Sequence, residues 1–174
     1  MGQNLKLKRL FWEFTRPADT TAYTAQDSVS DSTTVPTIRT FVERQNPHKT
    51  TNDIGLVMGG SYMVKSIQLT KSTNTTTNAS FDVYFYTSGV TANNDNAEHG
   101  ISYANKIYRI GKTNMTLATS GTNQSDCAEK IEQDVNITFL ALGTTIFARL
   151  VAAAAYTPAS GEKFYCEVEL ICLD

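Results

Sequence analysis

The segment from 164 to 174, FYCEVELICLD, alternates between two kinds of side chain with a period of two. Successive side chains of a β-strand point to opposite faces, so this period predicts a strand with one face in a core. That face carries only apolar side chains, namely Phe164, Cys166, Val168, Leu170 and Cys172. The segments 80–88 (SFDVYFYTS) and 144–156 (TTIFARLVAAAAY) alternate in the same way and predict further strands.

Weaker patterns add more strand candidates. Segment 62–72 places Ile67 and Leu69 on one face and Val64 on the other. The shorter candidates are 5–14, 24–30, 37–42 and 135–142. Together they make about eight strands, in a chain rich in the Thr, Tyr and Phe residues that favour pleated surfaces.

Polar loops join the predicted strands. The loops STNTTTNAS (72–80) and TPASGEK (157–163) are short and polar, which is typical of β-hairpins. In the second loop, Pro158 presets a turn conformation and Gly161 supplies a positive φ. These features predict antiparallel pairing of the strands that each loop connects.

Helical patterns are short. Segment 93–111 is expected to hold one short helix or turn, and 125–134 is expected to hold a helical turn capped by Ser125. No long helix separates the strands, so crossover βαβ units are not expected. We therefore predict an all-β chain, a single-domain antiparallel β-sandwich of the jelly-roll type.

Charge and hydrophobicity exclude two classes of partner. The net charge is −2 and only 18% of residues are charged, unlike a nucleic-acid-binding protein with clustered Lys and Arg. The longest apolar window, 146–156, is interrupted by Arg149 and is too short to span a bilayer. We therefore expect neither a nucleic-acid nor a membrane partner.

The three cysteines do not suggest a disulfide or a metal site. Cys166 and Cys172 lie on one predicted strand, about 20 Å apart, which is beyond the reach of a disulfide. Cys127 has no CxxC motif or histidine nearby. We expect all three to be reduced, buried apolar side chains.

Catalytic patterns are weak. His48 and His99 stand in polar loops and are interpreted as surface residues. Glu167 and Glu169 share one strand face at about 6.6 Å, near the spacing of a glycosidase pair. Charged residues are ordinary on the outer face of a terminal strand, so we predict no catalytic, metal-binding or cofactor-binding residues.

Three stretches of the chain resemble a family of tailed-bacteriophage virion proteins. They are FTRPADTTAYTAQDSVSDS from residue 14, IQLTKSTNTTTNASFDVYFYTS from residue 67 and RLVAAAAYTPASGEKFYCEVEL from residue 149. Members of that family begin with a similar Arg-Pro-Ala-Asp-Thr-Thr-Ala-Tyr segment and close on a similar Tyr-Thr-Pro-Ala-Ser hairpin. The resemblance implies a jelly-roll cement, or auxiliary, protein of phage heads.

The resemblance also implies a location and partners. The protein would be made in the host cytoplasm and would lie on the capsid surface of the virion, where it stabilises the shell. Its partners would be the major capsid protein and further copies of itself, as a dimer or trimer. No enzymatic activity or cofactor is implied.

Two other functions remain open from the sequence. A tail, neck or fibre protein would bind a host or virion partner through the loops at 87–106. An enzyme on a cupin-like jelly roll would need a cluster of histidines, and the chain has only His48 and His99.

A basic, aromatic leader at 1–14 precedes the predicted sandwich domain at 15–174. Aromatic residues and Arg are enriched at protein interfaces, so we expect the leader to contact the capsid. The interface candidates are Lys6, Lys8, Arg9, Phe11 and Trp12. The alternative is that the leader is the first strand of the sandwich and that Trp12 lies in its core.

Overall fold

The computed structural model describes residues 6–43, 55–119 and 126–173. These residues form ten strands and one short helix: β1 (Leu7–Thr15), β2 (Ser28–Val29), β3 (Arg39–Thr40), β4 (Val42–Glu43), β5 (Ser61–Lys71), β6 (Ser80–Tyr86), α1 (Tyr103–Lys106), β7 (Arg109–Thr116), β8 (Ala128–Leu140), β9 (Phe147–Ala152) and β10 (Lys163–Cys172). Two strands exceed the expected eight: the candidate 37–42 divides into β3 and β4, and β7 was not predicted from the sequence. Helix α1 confirms the short helix predicted within 93–111.

The strands form two antiparallel sheets. Sheet I has the order β4–β1–β10–β5–β8, and sheet II has the order β2–β9–β6–β7 with β3 also paired to β9. The chain passes repeatedly between the sheets, as when β9 in sheet II leads to β10 in sheet I. Two packed antiparallel sheets with this interleaved order form a jelly roll, so the predicted fold class is confirmed.

Aromatic rings join the two sheets across the core. Phe14 of β1 stacks on Phe164 of β10, with 5.6 Å between the ring centroids. Phe164 in turn meets Phe81 of β6 edge-to-face at 5.3 Å, and Phe81 contacts Tyr156 at 5.2 Å. Each such pair adds about 0.5–1.5 kcal/mol beyond the area it buries. The inward faces predicted for β6 and β10 are therefore the faces that hold the sheets together.

The loops at 72–80 and 157–163 are not hairpin loops, so that prediction was wrong. Strand β5 pairs with β10 and β8, whereas β6 pairs with β7 and β9. The first loop therefore crosses from sheet I to sheet II, and the second crosses back. Packed sheets lie about 10 Å apart, so a short polar loop bridges them as readily as it closes a hairpin.

The predicted helical turn at 125–134 was also wrong, because strand β8 begins at Ala128. The ladder between β5 and β8 runs from the pair Lys71–Ala128 to the pair Ser61–Leu140. Tertiary pairing over this length outweighs the local helix preference of the Ala-Glu-Lys sequence. Ser125, the expected cap, lies outside the described residues.

A bulge corrects the predicted face of Val64. The register of β5 and β8 shifts between Val64 and Ser66, so Val64 is buried on the same side as Ile67 and Leu69. Across the bulge, Asp134 and Asn136 of β8 have positive φ values of 57° and 55°. An extra residue in a ladder inverts the inward and outward alternation, which a strict period of two does not anticipate.

The FTRPADTTAY segment folds around a buried arginine. The side chain of Arg16 is fully buried, and its Nε donates a 2.9 Å hydrogen bond to the hydroxyl of Tyr23. One terminal nitrogen contacts the Oδ2 of Asp95 at 3.0 Å and the Oδ1 of Asp19 at 3.1 Å. Asp95 also accepts from the Tyr23 hydroxyl at 2.6 Å and from the Ser30 backbone N–H at 2.8 Å. Burial and Asp95 raise the pKa of Tyr23, so its hydroxyl stays protonated and donates.

A second buried ion pair lies beside the first. Lys71 contacts Glu162 at 3.0 Å, and both side chains are fully buried. The Tyr156 hydroxyl donates to the same carboxylate at 2.6 Å, and the ring of Tyr156 stacks on that of Tyr23. The backbone N–H of Arg16 donates to the Glu162 carbonyl at 3.0 Å. The two ion pairs are therefore parts of one polar layer that ties β1 to the loop before β10.

We expect Arg16→Met to lower the free energy of unfolding by about 3–5 kcal/mol, because it leaves Asp95 buried without its cation. Arg9→Met is the control, since its pair with Glu169 is exposed and contributes about 0–1 kcal/mol. Urea unfolding followed by circular dichroism measures both values. Equal losses for the two variants would contradict a stabilising role for the buried pair.

Candidate functional site

Residues 7–14 of the leader belong to strand β1, which is paired along its whole length with β10 from Leu7–Ile171 to Thr15–Lys163. Alternation along β1 divides the interface candidates between two faces. Trp12 is 3% exposed and packs in the core against Phe14 and Phe41. Its side chain is therefore not available to a partner in this conformation.

The other candidates differ in their surroundings. Lys6 is exposed, and Lys8 is half-buried with its ammonium bound to the Gly55 carbonyl. Arg9 lies on the outer face of sheet I and forms an ion pair with Glu169 at 3.2 Å. Phe11 is half-buried on the same face. Of these four, Lys6 and Arg9 are the residues most open to a partner.

Phe11 is covered by a neighbouring ring. It stacks on Tyr165 of β10 with 5.9 Å between ring centroids, and it pairs with Val42 of the edge strand β4. Val42 is 50% exposed. The aromatic side chain thus forms part of a partly covered apolar strip on the outer face.

An apolar patch occupies one end of the same face. Leu7, Ile171 and Met63 form a row across β1, β10 and β5. Leu140 pairs with Ser61 in the next row, and the backbone N–H of Leu173 donates to the Ser61 carbonyl. Leu7, Leu140 and Leu173 are 50%, 55% and 42% exposed. We call Leu7, Met63, Leu140, Ile171 and Leu173 the apolar patch.

The sequence alone indicated only the part of the apolar patch that lies on segment 164–174. The outward face of segment 164–174 is mixed, with glutamates in its middle and Ile171 and Leu173 at its end. The remaining members come from β1, β5 and β8, and only the strand register brings them together. Three more exposed apolar side chains lie at the same end, each at least half exposed. They are Val57 and Met58, before β5, and Leu142, after β8.

The middle of the outer face is polar. A shallow depression of about 190 Å³ is lined by Arg9, Gln68, Ile131, Glu167 and Glu169, among others. Glu169 is paired with Arg9, and Glu167 accepts a hydrogen bond from the Tyr165 hydroxyl. Both carboxylates thus have partners within the sheet, as expected for a solvated outer face.

A larger cavity of about 430 Å³ lies at the opposite end of sheet I, where Thr15, Lys71, Cys127 and Lys163 contribute to its lining. Burial, followed by the charges of Asp126 and Glu129, raises the pKa of the Cys127 thiol. A raised pKa reduces the thiolate fraction, which is the opposite of nucleophile activation. Cys127 is therefore not activated as a nucleophile.

His99 is half-buried rather than a free surface residue, which corrects its interpretation. Its ring stacks on Tyr84 with 4.7 Å between centroids. Burial, then the charges of Arg149 and Arg109, lower its pKa from 6.5 to about 4. His99 is neutral at pH 7. His48 lies outside the described residues.

Other sites for chemistry are lacking in the part of the chain that the structure describes. No group of three or more His, Cys, Asp or Glu residues within 6–43, 55–119 and 126–173 is placed to hold a metal ion. Cys166 and Cys172 lie on the one strand β10, as predicted. Cys166 is buried as expected, whereas Cys127 and Cys172 are only half-buried, which corrects the expectation for those two. None of the helices in the described residues has the length and apolar character needed to cross a membrane.

Comparison with known proteins yields only distant likeness. No family model and no curated protein matches the chain. A chain of Desmodium yellow mottle tymovirus is 13% identical, with 99% of this chain and 89% of that chain covered and a TM-score of 0.30. A chain of Israeli acute paralysis virus is 10% identical over 98% of this chain and 68% of that one, with a TM-score of 0.29.

A chain from the structure of Triatoma virus is 12% identical, with 94% of this chain and 61% of that chain covered and a TM-score of 0.24. All three neighbours are chains from solved virus structures. At such low scores the overlaps carry no argument about this chain. The jelly-roll assignment rests on the strand order of sheets I and II.

We predict that His99→Gln changes how stability depends on pH. Because the folded-state pKa lies below the unfolded value, the unfolded chain binds the extra proton and stability falls as pH drops from 6.5 to about 4. Allowing for partial exposure, His99 should account for about 1 kcal/mol of that loss. Urea unfolding of wild type and variant at several pH values measures it, and parallel pH profiles would refute the prediction.

Proposed function

We propose that this protein is a structural virion protein that decorates the outer surface of a tailed-phage capsid and stabilises it. The apolar patch on sheet I is the observation that carries the proposal. Exposed apolar surface on a rigid sandwich suits lasting contact with another protein. The sequence resemblance to phage-head decoration proteins supplies the partner, which is the major capsid protein.

Charge beside the patch supports the same surface. Lys6, just before β1, and Arg9, within it, flank Leu7 along the chain, and the Arg9 side chain is 59% exposed. This places positive charge at the rim of an apolar surface in a chain whose net charge is −2. Rim charges speed association with an oppositely charged partner and make it dependent on salt.

Binding in many copies would strengthen attachment to the capsid beyond the affinity of a single contact. A decoration protein binds a repeating lattice, so many weak contacts act together through avidity. Dimers or trimers of the chain, as the resemblance implies, would match local symmetry axes of such a lattice. Capsid decoration requires a rigid fold and a binding surface, and it requires no activated nucleophile. The proposed role is therefore that of a non-enzymatic protein.

One observation favours a tail, neck or fibre protein as a second candidate. Helix α1 lies in the loop between β6 and β7, where Tyr103 is 88% exposed and Ile107 is 76% exposed. Large exposed side chains on a loop at the outer face of sheet II suit the binding of a host or virion partner. This surface lies on the sheet opposite the apolar patch.

Mutation of the patch separates docking from folding. We expect Leu140→Asp to reduce co-sedimentation with undecorated phage heads at least tenfold, because it places a charge in the apolar contact. Ile131→Asp is the matched control, since Ile131 lies on the outward face of the same strand and is 53% exposed, against 55% for Leu140. The control should pellet like wild type.

Salt tests the basic rim in the same assay. Changing Lys6, Lys8 and Arg9 to Ser should weaken pelleting at low salt and have less effect at high salt. If Leu140→Asp and Ile131→Asp reduce co-sedimentation equally, the apolar patch is not the contact with the capsid. If wild type fails to pellet with heads, the decoration proposal is wrong, and pelleting with isolated tails would support the second candidate.

A further inference from the structure

A small cavity of about 20 Å³ lies beside strand β9. Strand β2 pairs with Leu150 and Val151, and β3 pairs with Phe147 and Ala148, so Arg149 stands between the two short partners. Ser28, Asn93 and Arg149 contribute to the cavity lining. A space of this size holds about one water molecule or one small ion.

Three donors at this cavity have no hydrogen-bond acceptor. The Oγ of Ser28, the Nε of Arg149 and the Nε of Arg39 are buried and unpaired within the described residues. Ser28 is 4% exposed and Arg149 is 8% exposed, so solvent does not replace the missing partners. Buried donors are nearly always satisfied in folded proteins, so we expect a small acceptor at this position.

The charge of Arg149 is also uncompensated. Its terminal nitrogen donates to the Oδ1 of Asn93 at 2.6 Å and to the Gly100 carbonyl at 2.7 Å, both neutral acceptors. Burial lowers the pKa of Arg149, and no carboxylate contributes an opposing effect. The second guanidinium at the cavity, that of Arg39, has its own carboxylate partner, Asp31, at 2.6 Å.

The surroundings of Arg149 are positive. Arg149, Arg109 and Lys112 all lower the pKa of nearby His99, and Asp82 is the carboxylate that opposes them. The Asp82 carboxylate is already engaged by Lys112 at 2.5 Å and by Asn114 at 3.0 Å. A negative charge at the cavity would therefore be favoured by several cations at once.

We propose that this cavity is a binding site for one small monovalent anion of the chloride class, held by the Nε of Arg149 and the Oγ of Ser28. A water molecule would accept both hydrogen bonds but would leave the guanidinium charge unbalanced. Phosphate and sulfate are too large for the space. The site lies on sheet II and is independent of the proposed docking surface on sheet I.

Anion exchange at constant ionic strength tests the site. The thermal midpoint of unfolding should rise by about 3–6 °C at a tenfold excess of chloride over its dissociation constant, relative to sodium gluconate, because only the small anion enters. Arg149→Gln should abolish this rise. Lys130→Gln, which removes a partly exposed cation from sheet I, should keep it.

Diffraction from wild-type crystals grown in bromide keeps the test independent of the variants. An anomalous peak within hydrogen-bonding distance of both donors is expected. Equal midpoints in chloride and gluconate, together with no anomalous peak, would mean that the cavity holds water and would overturn the proposal. Retention of the chloride effect in Arg149→Gln would place the anion elsewhere.

Discussion

Arg16 carries a positive charge into the interior immediately after β1 ends, and its buried partner Asp95 arrives from the loop between β6 and β7. Neither group is tolerable there without the other, because an isolated buried charge costs several kcal/mol. The pair therefore fixes where the N-terminal strand leaves sheet I and where a long loop closes over sheet II. The neighbouring Lys71–Glu162 pair fixes the return into β10. A fold whose chain repeatedly changes sheets depends on such anchors at its crossings.

The fold class could be predicted because every second side chain of β10 and β6 is apolar and faces the core between the sheets, which leaves a period of two in the sequence. Sheet membership could not, since the 72–80 loop has the same composition whether it closes a hairpin or crosses the sandwich. The structural role of FTRPADTTAY could not be predicted either. Arg16 is buried because it pairs with Asp95, which lies far along the chain. For the candidate site, the sequence identified β1 as basic and aromatic. It did not reveal which side chains face outward, nor the apolar patch, which four strands assemble through their register.

The outer faces of sheet I and sheet II differ in how far they are covered. Sheet I presents an outer surface that grades from polar, around Arg9 and Glu169, to apolar at Leu7 and Leu140. Sheet II hides its outer face beneath the 87–108 loop, where Tyr84 and Tyr86 are buried. The loop packed on sheet II makes that side of the sandwich more rigid, and the uncovered outer face of sheet I is accessible to a partner. The unbalanced guanidinium of Arg149 is a property of the covered face.

The irregular stretch of β8 has a consequence for how copies of the chain can meet. Strand β8 is the edge of sheet I, and its left-handed residues Asp134 and Asn136 bend the very ladder that a neighbouring strand would have to follow. Growth of a continuous sheet from one molecule to the next across this edge is therefore disfavoured. A contact between copies at the β8 edge would be made by side chains, so single substitutions there would change the contact and leave the hydrogen-bonded frame as it is.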